Sequence, residues 1–334
     1  MNHRCPTRVI ELINKIRSQD DGEQQVPRSD ADVGAARLFL VPQTTVDKAA
    51  AEATIAARMG ELTGDHDWTA GSEAIKTLAL EHLMSARRFG FENFFGPLYA
   101  VERIRTSFLQ GTGAGVGLFT REILPLVKAL RASDPFAVAA RVRRTSPLLD
   151  RKALEEAGDD QAEVLARSKA VCEGLLALVS AEEPASIRAV LHYVAETGLF
   201  VIPEVLAPFV VADEPEPDEG AGGPDAIEEE VELKTEIGGW RQALEARFEE
   251  IEKYDRYVRG VSRFDTHQGV KGREFPRVMV IVSDEEARGF MFAYDKLFGA
   301  KGKSDTDIKN EAAGKETTID RTRRLFYVTC SRAE

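Results

Sequence analysis

The chain has 334 residues, 43% of them hydrophobic and 30% charged, with a net charge of −12 at pH 7. This length allows two domains with hydrophobic cores. The sequence has no run of about 18 apolar residues and no signal-peptide pattern, so we expect a cytoplasmic protein that does not enter a membrane. Three scattered cysteines without C-x-x-C spacing predict neither a disulfide framework nor a zinc site.

Residues 1–95 mix helical and strand-like patterns. The sequence predicts a helix over 1–17, a strand at Arg37–Val41 and a helix from about Asp47 to Leu62, which Asp47 can cap. An apolar stretch with a helical tail follows at Ser72–Phe91. Together these patterns predict an α/β layer structure.

Residues 96–262 are helical in pattern nearly throughout. Amphipathic stretches without intervening strand patterns recur at 123–130, 154–179, 187–194 and 240–258. We therefore expect a mainly α-helical subdomain, inserted between the two parts of an α/β domain at 1–95 and 263–334.

Charge is unevenly distributed along this insertion. The stretch 213–236 holds eleven acidic residues and one lysine without periodicity, which predicts a flexible acidic loop; a partner-docking role is the alternative. Several basic residues of the insertion could contact the phosphates of duplex DNA, and a solvated face is the alternative. These residues are Arg131, Arg141, Arg143, Arg144, Arg151 and Lys152.

A glycine-containing loop near the end of the chain precedes an apolar run. The run Val278–Val282 is short and β-branched, which predicts a buried strand. In the loop, glycines let the backbone approach a ligand closely, and Thr266, His267 and Lys271 can donate hydrogen bonds to phosphate oxygens. These residues are candidates for a nucleic-acid contact.

The last predicted helix carries several arginines. Arg324 and Arg332 are eight residues apart, so on a helix they return to nearly the same face, about 12 Å apart along the axis. Guanidinium groups are always charged and offer a planar set of donors, which suits a phosphate site. A surface amphipathic helix with solvated arginines is the alternative.

Three segments, in this order, resemble motifs IV, V and VI of the superfamily 1A DNA helicases, the UvrD/PcrA/Rep group. The opening Asn2-His3-Arg4-Cys5 resembles N-Y-R-S, and residues 266–275 resemble T-x-H-x-x-K-G-L-E-F/W. Residues 323–333 resemble R-R-L-x-Y-V-x-x-T-R-A. The second and third patterns fix many positions and carry the resemblance, whereas the first gains weight from its order.

The resemblance implies a RecA-like lobe, called 2A, with an inserted helical 2B subdomain. In this family ATP lies between two RecA-like lobes, so Arg332 would be the arginine finger and Arg4 a second catalytic arginine at the γ-phosphate. Glu274 would accept a hydrogen bond from the ribose. The implied nucleotide contacts are His3, Arg4, Gly272, Glu274, Arg324 and Arg332, and the implied single-strand contacts are Thr266, His267 and Lys271.

The sequence departs from the family pattern in four places. His3 replaces a tyrosine that stacks on adenine, Arg273 replaces a leucine, and Arg321-Thr322 replaces an acidic pair. No G-x-x-x-x-G-K-[ST] phosphate loop is present in the sequence. The segment Asp284–Ala287 imitates an Mg²⁺-binding acidic motif, but its position predicts a loop at a strand end.

Without a phosphate loop, ATP and Mg²⁺ would be bound mainly by an upstream RecA-like lobe, from the same gene or a separate chain. We therefore expect the C-terminal motor half of an ATP-dependent DNA helicase or translocase, moving 3′ to 5′ by resemblance and of the kind used in DNA repair. This chain alone is expected to be inactive. The alternative is a non-catalytic module that docks DNA or a partner.

Overall fold

A computed structural model describes residues 2–69, 74–210, 236–287 and 291–334. The chain divides into two compact units, unit 1 with residues 1–89 and 262–334, and unit 2 with residues 90–261. The sequence patterns placed the corresponding changes at 95/96 and 262/263. Apart from Glu236, the predicted acidic loop 213–236 lies outside the described residues.

The first part of unit 1 contains helices and one strand, α1 Thr7–Arg17, α2 Lys48–Thr63, β1 Lys76–Ala79 and α3 His82–Phe89. The described helices of unit 2 are α4 Glu92–Ala100, α5 Glu102–Leu109, α6 Ala114–Gly117, α7 Leu124–Arg131, α8 Pro135–Thr145, α9 Arg151–Ala157, α10 Gln161–Val179, α11 Ile187–Thr197, α12 Glu236–Ala243 and α13 Glu249–Val258. The second part of unit 1 adds β2 Phe264–Thr266, β3 Val278–Val280, α14 Asp284–Ala287, α15 Tyr294–Leu297, α16 Asp305–Ala312 and α17 Thr318–Cys330.

Unit 1 is built on a parallel sheet of three strands in the order β2-β1-β3. The central strand β1 is buried at every position, as expected for a strand with neighbours on both sides. Thr77 pairs with Phe264 on one side and with Met279 on the other, so β1 joins two segments that come much later in the sequence. The sheet therefore fixes the position of the loop between β2 and β3.

The C-terminal helix α17 packs against α1. Its N-terminus has a capping box, in which Thr317 Oγ1 accepts from the main-chain N–H of Asp320 and the Asp320 carboxylate accepts from that of Thr317. An apolar cluster on α1, formed by Val9, Ile10 and Ile13, covers Tyr327, Cys330 and Ala333. The predicted C-terminal helix is confirmed, although it ends at Cys330.

The predicted helix from Asp47 to Leu62 is confirmed as α2, and Asp47 Oδ1 accepts from the N–H of Ala50 at 2.8 Å. The predicted strand Arg37–Val41 is wrong, because this segment is irregular. Leu38 and Leu40 are 76% and 88% exposed, whereas Phe39 packs against the Met59 cluster. The side-chain alternation suits a strand, but a strand also needs a hydrogen-bonded neighbour.

Two expectations near β3 also need correction. The strand covers only Val278–Val280, and its residues are half-buried rather than buried. The segment Asp284–Ala287 forms one helical turn instead of a loop. The carboxylate of Asp284 accepts from the main-chain N–H groups of Tyr294 and Asp295, at 3.0 and 2.8 Å, and so holds the following segment in place.

The regular elements of unit 2 within its described residues are helices, as the sequence predicted for this region. An aromatic cluster forms its core, in which the rings of Phe94, Phe95 and Phe108 surround Tyr254. Of the helices in the described ranges of both units, none combines the length and apolarity needed to cross a bilayer.

Candidate functional site

The N-terminal turn lies against the end of α17. The side chain of Asn2 accepts from the main-chain N–H groups of Arg4 and Cys5, at 2.8 and 2.9 Å, which fixes the turn that carries Arg4. The buried Cys5 thiol donates to the carbonyl of Ser331 at 3.5 Å. Arg4 is thereby placed next to the residues that follow α17.

The loop after β2 reaches the same place from the other side. Phe275 N–H donates to the Arg332 carbonyl at 2.9 Å, and Glu334 N–H donates to the Phe275 carbonyl at 3.1 Å. These bonds form a parallel bridge between Phe275 and Ala333. The structure thus brings three predicted nucleotide contacts, Arg4, Glu274 and Arg332, to one site.

Of the two arginines at this site, Arg4 forms an ion pair with a carboxylate and Arg332 does not, among the residues that the structure describes. Arg4 Nε lies 2.5 Å from Glu274 Oε2. Arg332 is only 9% exposed, and its guanidinium donates to neutral acceptors, which are the Val328 and Arg273 carbonyls and the Ser331 hydroxyl. Within the described ranges no salt bridge joins Arg332 to a carboxylate. Its positive charge is therefore not cancelled by a direct partner.

The charge balance favours an anion. Burial lowers the pKa of Arg332, and the positive charge of Arg4 lowers it further, but a guanidinium still remains protonated at neutral pH. Two guanidinium groups with one carboxylate leave a local excess of one positive charge. Two main-chain carbonyls hold the Arg332 guanidinium in one orientation. A phosphate that binds there would accept hydrogen bonds from a rigidly placed group.

Arg324 does not join this site, contrary to the sequence-based expectation. Its exposed side chain forms ion pairs with Asp20 at 3.3 Å and with Glu316 at 2.5 Å. Arg332 lies beyond Cys330, the last residue of α17, so helical periodicity does not set its direction. The structure therefore places Arg324 apart from the site that holds Arg332.

The remaining predicted contacts differ in exposure. His3 and Lys271 are exposed, so both can meet a ligand. Gly272 has a φ of +79°, a left-handed conformation that favours glycine, and it marks the turn between Lys271 and Glu274. These residues border the site without a direct contact to Arg332 among the described hydrogen bonds.

Thr266 and His267 are buried, which corrects the expectation that both touch a strand of DNA directly. Thr266 Oγ1 accepts from the N–H of Gly269 at 3.0 Å and so closes the first turn of the loop. His267 is 0% exposed, with Nε2 3.2 Å from the Leu78 carbonyl and Nδ1 3.1 Å from the Tyr294 hydroxyl. Both residues hold the loop to the sheet.

A charged network under the loop was missed by the sequence reasoning. Lys76 on β1 is 6% exposed, and its ammonium lies 2.8 Å from the Ser262 carbonyl and 3.3 Å from Asp265 Oδ2. Arg273 reaches the same carboxylate oxygen at 2.9 Å. Lys76 and Arg273 both lie over the ring of Phe275. A lysine inside an apolar strand-like run was the available signal.

Asp265→Asn should lower the free energy of unfolding by about 3 kcal/mol, because it leaves the buried Lys76 ammonium without its counter-charge. Adding Lys76→Met should restore most of the loss, since the orphaned charge is then removed. Urea denaturation measures both effects. Glu61→Gln, in an exposed ion pair with Arg58, should change stability by less than about 1 kcal/mol. Equal effects of Asp265→Asn and Glu61→Gln would contradict a buried network.

The acidic turn at Asp284–Ala287 does not fit an Mg²⁺ site. Glu286 is engaged by Arg88 at 2.8 Å and by Lys48 at 3.0 Å, and these cations lower the pKa of its carboxyl even though burial acts to raise it. Across the described residues, no group of three or more His, Cys, Asp or Glu side chains could hold a metal ion.

No protein-family model matches the chain, and a search of curated proteins finds no match.

Proposed function

We propose that this chain provides the arginine-bearing, RecA-like lobe of an ATP-dependent DNA helicase or translocase. The observation that carries the proposal is the meeting of Arg4, Glu274 and Arg332, which come from three distant parts of the sequence, at one positively charged site. The parallel sheet with the loop after β2 at this site is consistent with a lobe of this kind.

Arg332 would act on the charge that develops on the γ-phosphate. It is mostly buried and held by carbonyl groups, so its orientation requires little reorganisation during the reaction. An arginine in this role accelerates related phosphoryl transfers by about 10³–10⁵. ATP and Mg²⁺ would be held mainly by a lobe that carries the phosphate loop.

Arg4 and Glu274 would exchange partners when nucleotide arrives. In the structure they neutralise each other. A phosphate would attract Arg4 away, which would free the Glu274 carboxylate to accept a hydrogen bond from a ribose hydroxyl. His3 is exposed beside Arg4 and could stack on a base, although imidazole offers less area than tyrosine.

DNA would meet the loop after β2 through its exposed part, where Lys271 presents its ammonium group to solvent. Thr266 and His267 would support this contact from below, because both are bonded to the sheet or the loop backbone. We therefore propose single-strand binding through Lys271 and main-chain N–H groups of the loop.

The chain alone should hydrolyse ATP no faster than the uncatalysed background, since its sequence contains no phosphate loop. Phosphate release with and without single-stranded DNA measures this. A DNA-stimulated turnover of about 1 s⁻¹ from the pure chain would contradict the proposal.

Combination with a phosphate-loop lobe of a superfamily 1A helicase tests the proposal directly. We expect DNA-stimulated turnover to appear when the two lobes are joined in one polypeptide, and to disappear with Arg332→Ala. If the joined protein binds DNA but its turnover does not depend on Arg332, the non-catalytic docking module becomes the better explanation.

A further inference from the structure

A cavity of about 530 Å³ opens within unit 2. It lies where the π-helical turn Leu118–Ile123, the last turns of α8 and the end of α13 meet. This volume is within the range of about 300–1,000 Å³ that is typical of small-molecule sites. We name it the basic pocket after the five cationic side chains that line it, Arg121, Lys128, Arg141, Arg144 and Arg259.

In the described ranges, three guanidinium groups of the basic pocket have no carboxylate partner, and one of them, Arg141, donates to the Arg121 carbonyl at 3.0 Å. Asp255 accepts from Arg259 at 2.7 Å, and Lys128 lies 3.3 Å from an acid outside the pocket. In the part of the chain that the structure describes, no salt bridge joins Arg121 or Arg144 to a carboxylate. These two arginines are therefore available to an anionic ligand.

The π-helical turn also places an unpartnered acceptor at the pocket. Glu122 lines the cavity, and its Oε2 atom is buried without a hydrogen-bond partner. A buried carboxylate oxygen without a donor is destabilising, and an N–H or O–H group of a ligand would satisfy it once the Glu122 side chain rotates toward the cavity. Turns of π-helix are often found at functional sites.

Close packing positions Arg121. A Cβ atom added to Gly117 would lie 2.3 Å from Arg121 Nη2, so the guanidinium rests on the glycine one turn earlier. Any larger residue at position 117 would displace the guanidinium while keeping its charge. Geometry and charge at this side of the pocket can therefore be tested separately.

We propose that the basic pocket binds a small phosphate-bearing molecule of nucleotide size, whose phosphate contacts Arg121 and Arg144 and whose hydroxyl or amino group donates to Glu122. Guanidinium groups bind phosphate oxygens in pairs of hydrogen bonds. The two carboxylates of the lining, Glu122 and Asp255, interrupt the positive surface, which disfavours a long run of phosphates. This combination suits a compact ligand better than a continuous nucleic-acid strand.

Calorimetric titration of the full chain tests the proposal, with adenosine 5′-monophosphate and inorganic pyrophosphate as probes. Replacing both arginines, Arg121→Ala with Arg144→Ala, should weaken the binding of both probes by at least about tenfold. Gly117→Ala should weaken both probes without changing the charge. Glu122→Met should weaken the monophosphate more than pyrophosphate, because the ribose hydroxyl and adenine amino groups of the monophosphate are the donors proposed for Glu122.

Arg143→Ala is the matched control, since Arg143 is an exposed neighbour of Arg144 on α8 that does not line the pocket. It should leave both affinities within about twofold, because an exposed charge outside the pocket is largely screened by salt. Three results would overturn the proposal: no binding of either probe at millimolar concentration, equal effects of Arg143→Ala and the double variant, or displacement of the monophosphate by a short oligonucleotide at far lower concentration.

Discussion

Arg332→Ala should lower ATP turnover by at least about 10³-fold, in a protein where this chain is joined to a phosphate-loop lobe, while nucleotide affinity changes by no more than a few fold. The reason is that a rigid, uncancelled guanidinium acts mainly on charge that develops in the transition state. Arg332→Lys should restore little, because an ammonium cannot reproduce the three directed bonds to Val328, Arg273 and Ser331. Steady-state phosphate release and equilibrium binding of a fluorescent nucleotide measure the two quantities.

Arg324→Ala separates the structural assignment from the sequence-based one. The periodicity of the last helix predicted that Arg324 and Arg332 act together, whereas the structure pairs Arg324 with Asp20 and Glu316. We therefore expect Arg324→Ala to keep turnover within about threefold, as for an exposed ion pair remote from the reacting atoms. A loss similar to that of Arg332→Ala would show that Arg324 reaches the nucleotide after all.

Acidification from pH 6.5 to pH 4 should destabilise the protein by roughly 3 kcal/mol through His267 alone. Burial lowers the pKa of His267 to about 4, against 6.5 for an ordinary histidine. Between these values the unfolded chain binds a proton that the folded chain does not bind. The free energy of unfolding must therefore fall as the pH falls through this window, and the contribution is fully present above pH 6.5.

Burial favours the neutral form of His267, and its hydrogen bonds fix the tautomer of that form. The Leu78 carbonyl can only accept, so Nε2 carries the hydrogen, and Nδ1 accepts from the Tyr294 hydroxyl. His267→Gln should lower stability at pH 7 and remove this part of the pH dependence. Urea denaturation between pH 7 and pH 4.5 measures the difference between variant and parent.

His66 provides the control for the pH experiment, because it is an exposed histidine in the same unit. His66→Asn should keep the full pH dependence of the parent. If the parent and His267→Gln lose stability in parallel as the pH falls, the carboxylates rather than His267 would account for the acid sensitivity.

The sequence alone determined those features that depend on neighbours along the chain. The periodicity and the capping residue Asp47 sufficed for α2, and the apolar spacing sufficed to predict the helix α17, because a helix satisfies its own backbone hydrogen bonds. The resemblance of three segments to helicase motifs IV, V and VI named Arg4, Glu274 and Arg332 as candidates, and the structure brings these residues together.

Only the tertiary structure decided the features that depend on distant partners. Arg37–Val41 has the alternation of a strand, but strand formation requires a neighbouring strand, which no local pattern supplies. His267 has a side chain that suits either a surface or a core, and Leu78 and Tyr294 place it in the core. Arg332 separates from Arg324 because the chain leaves the helix at Cys330 to pair with Phe275, a bond between residues far apart in sequence.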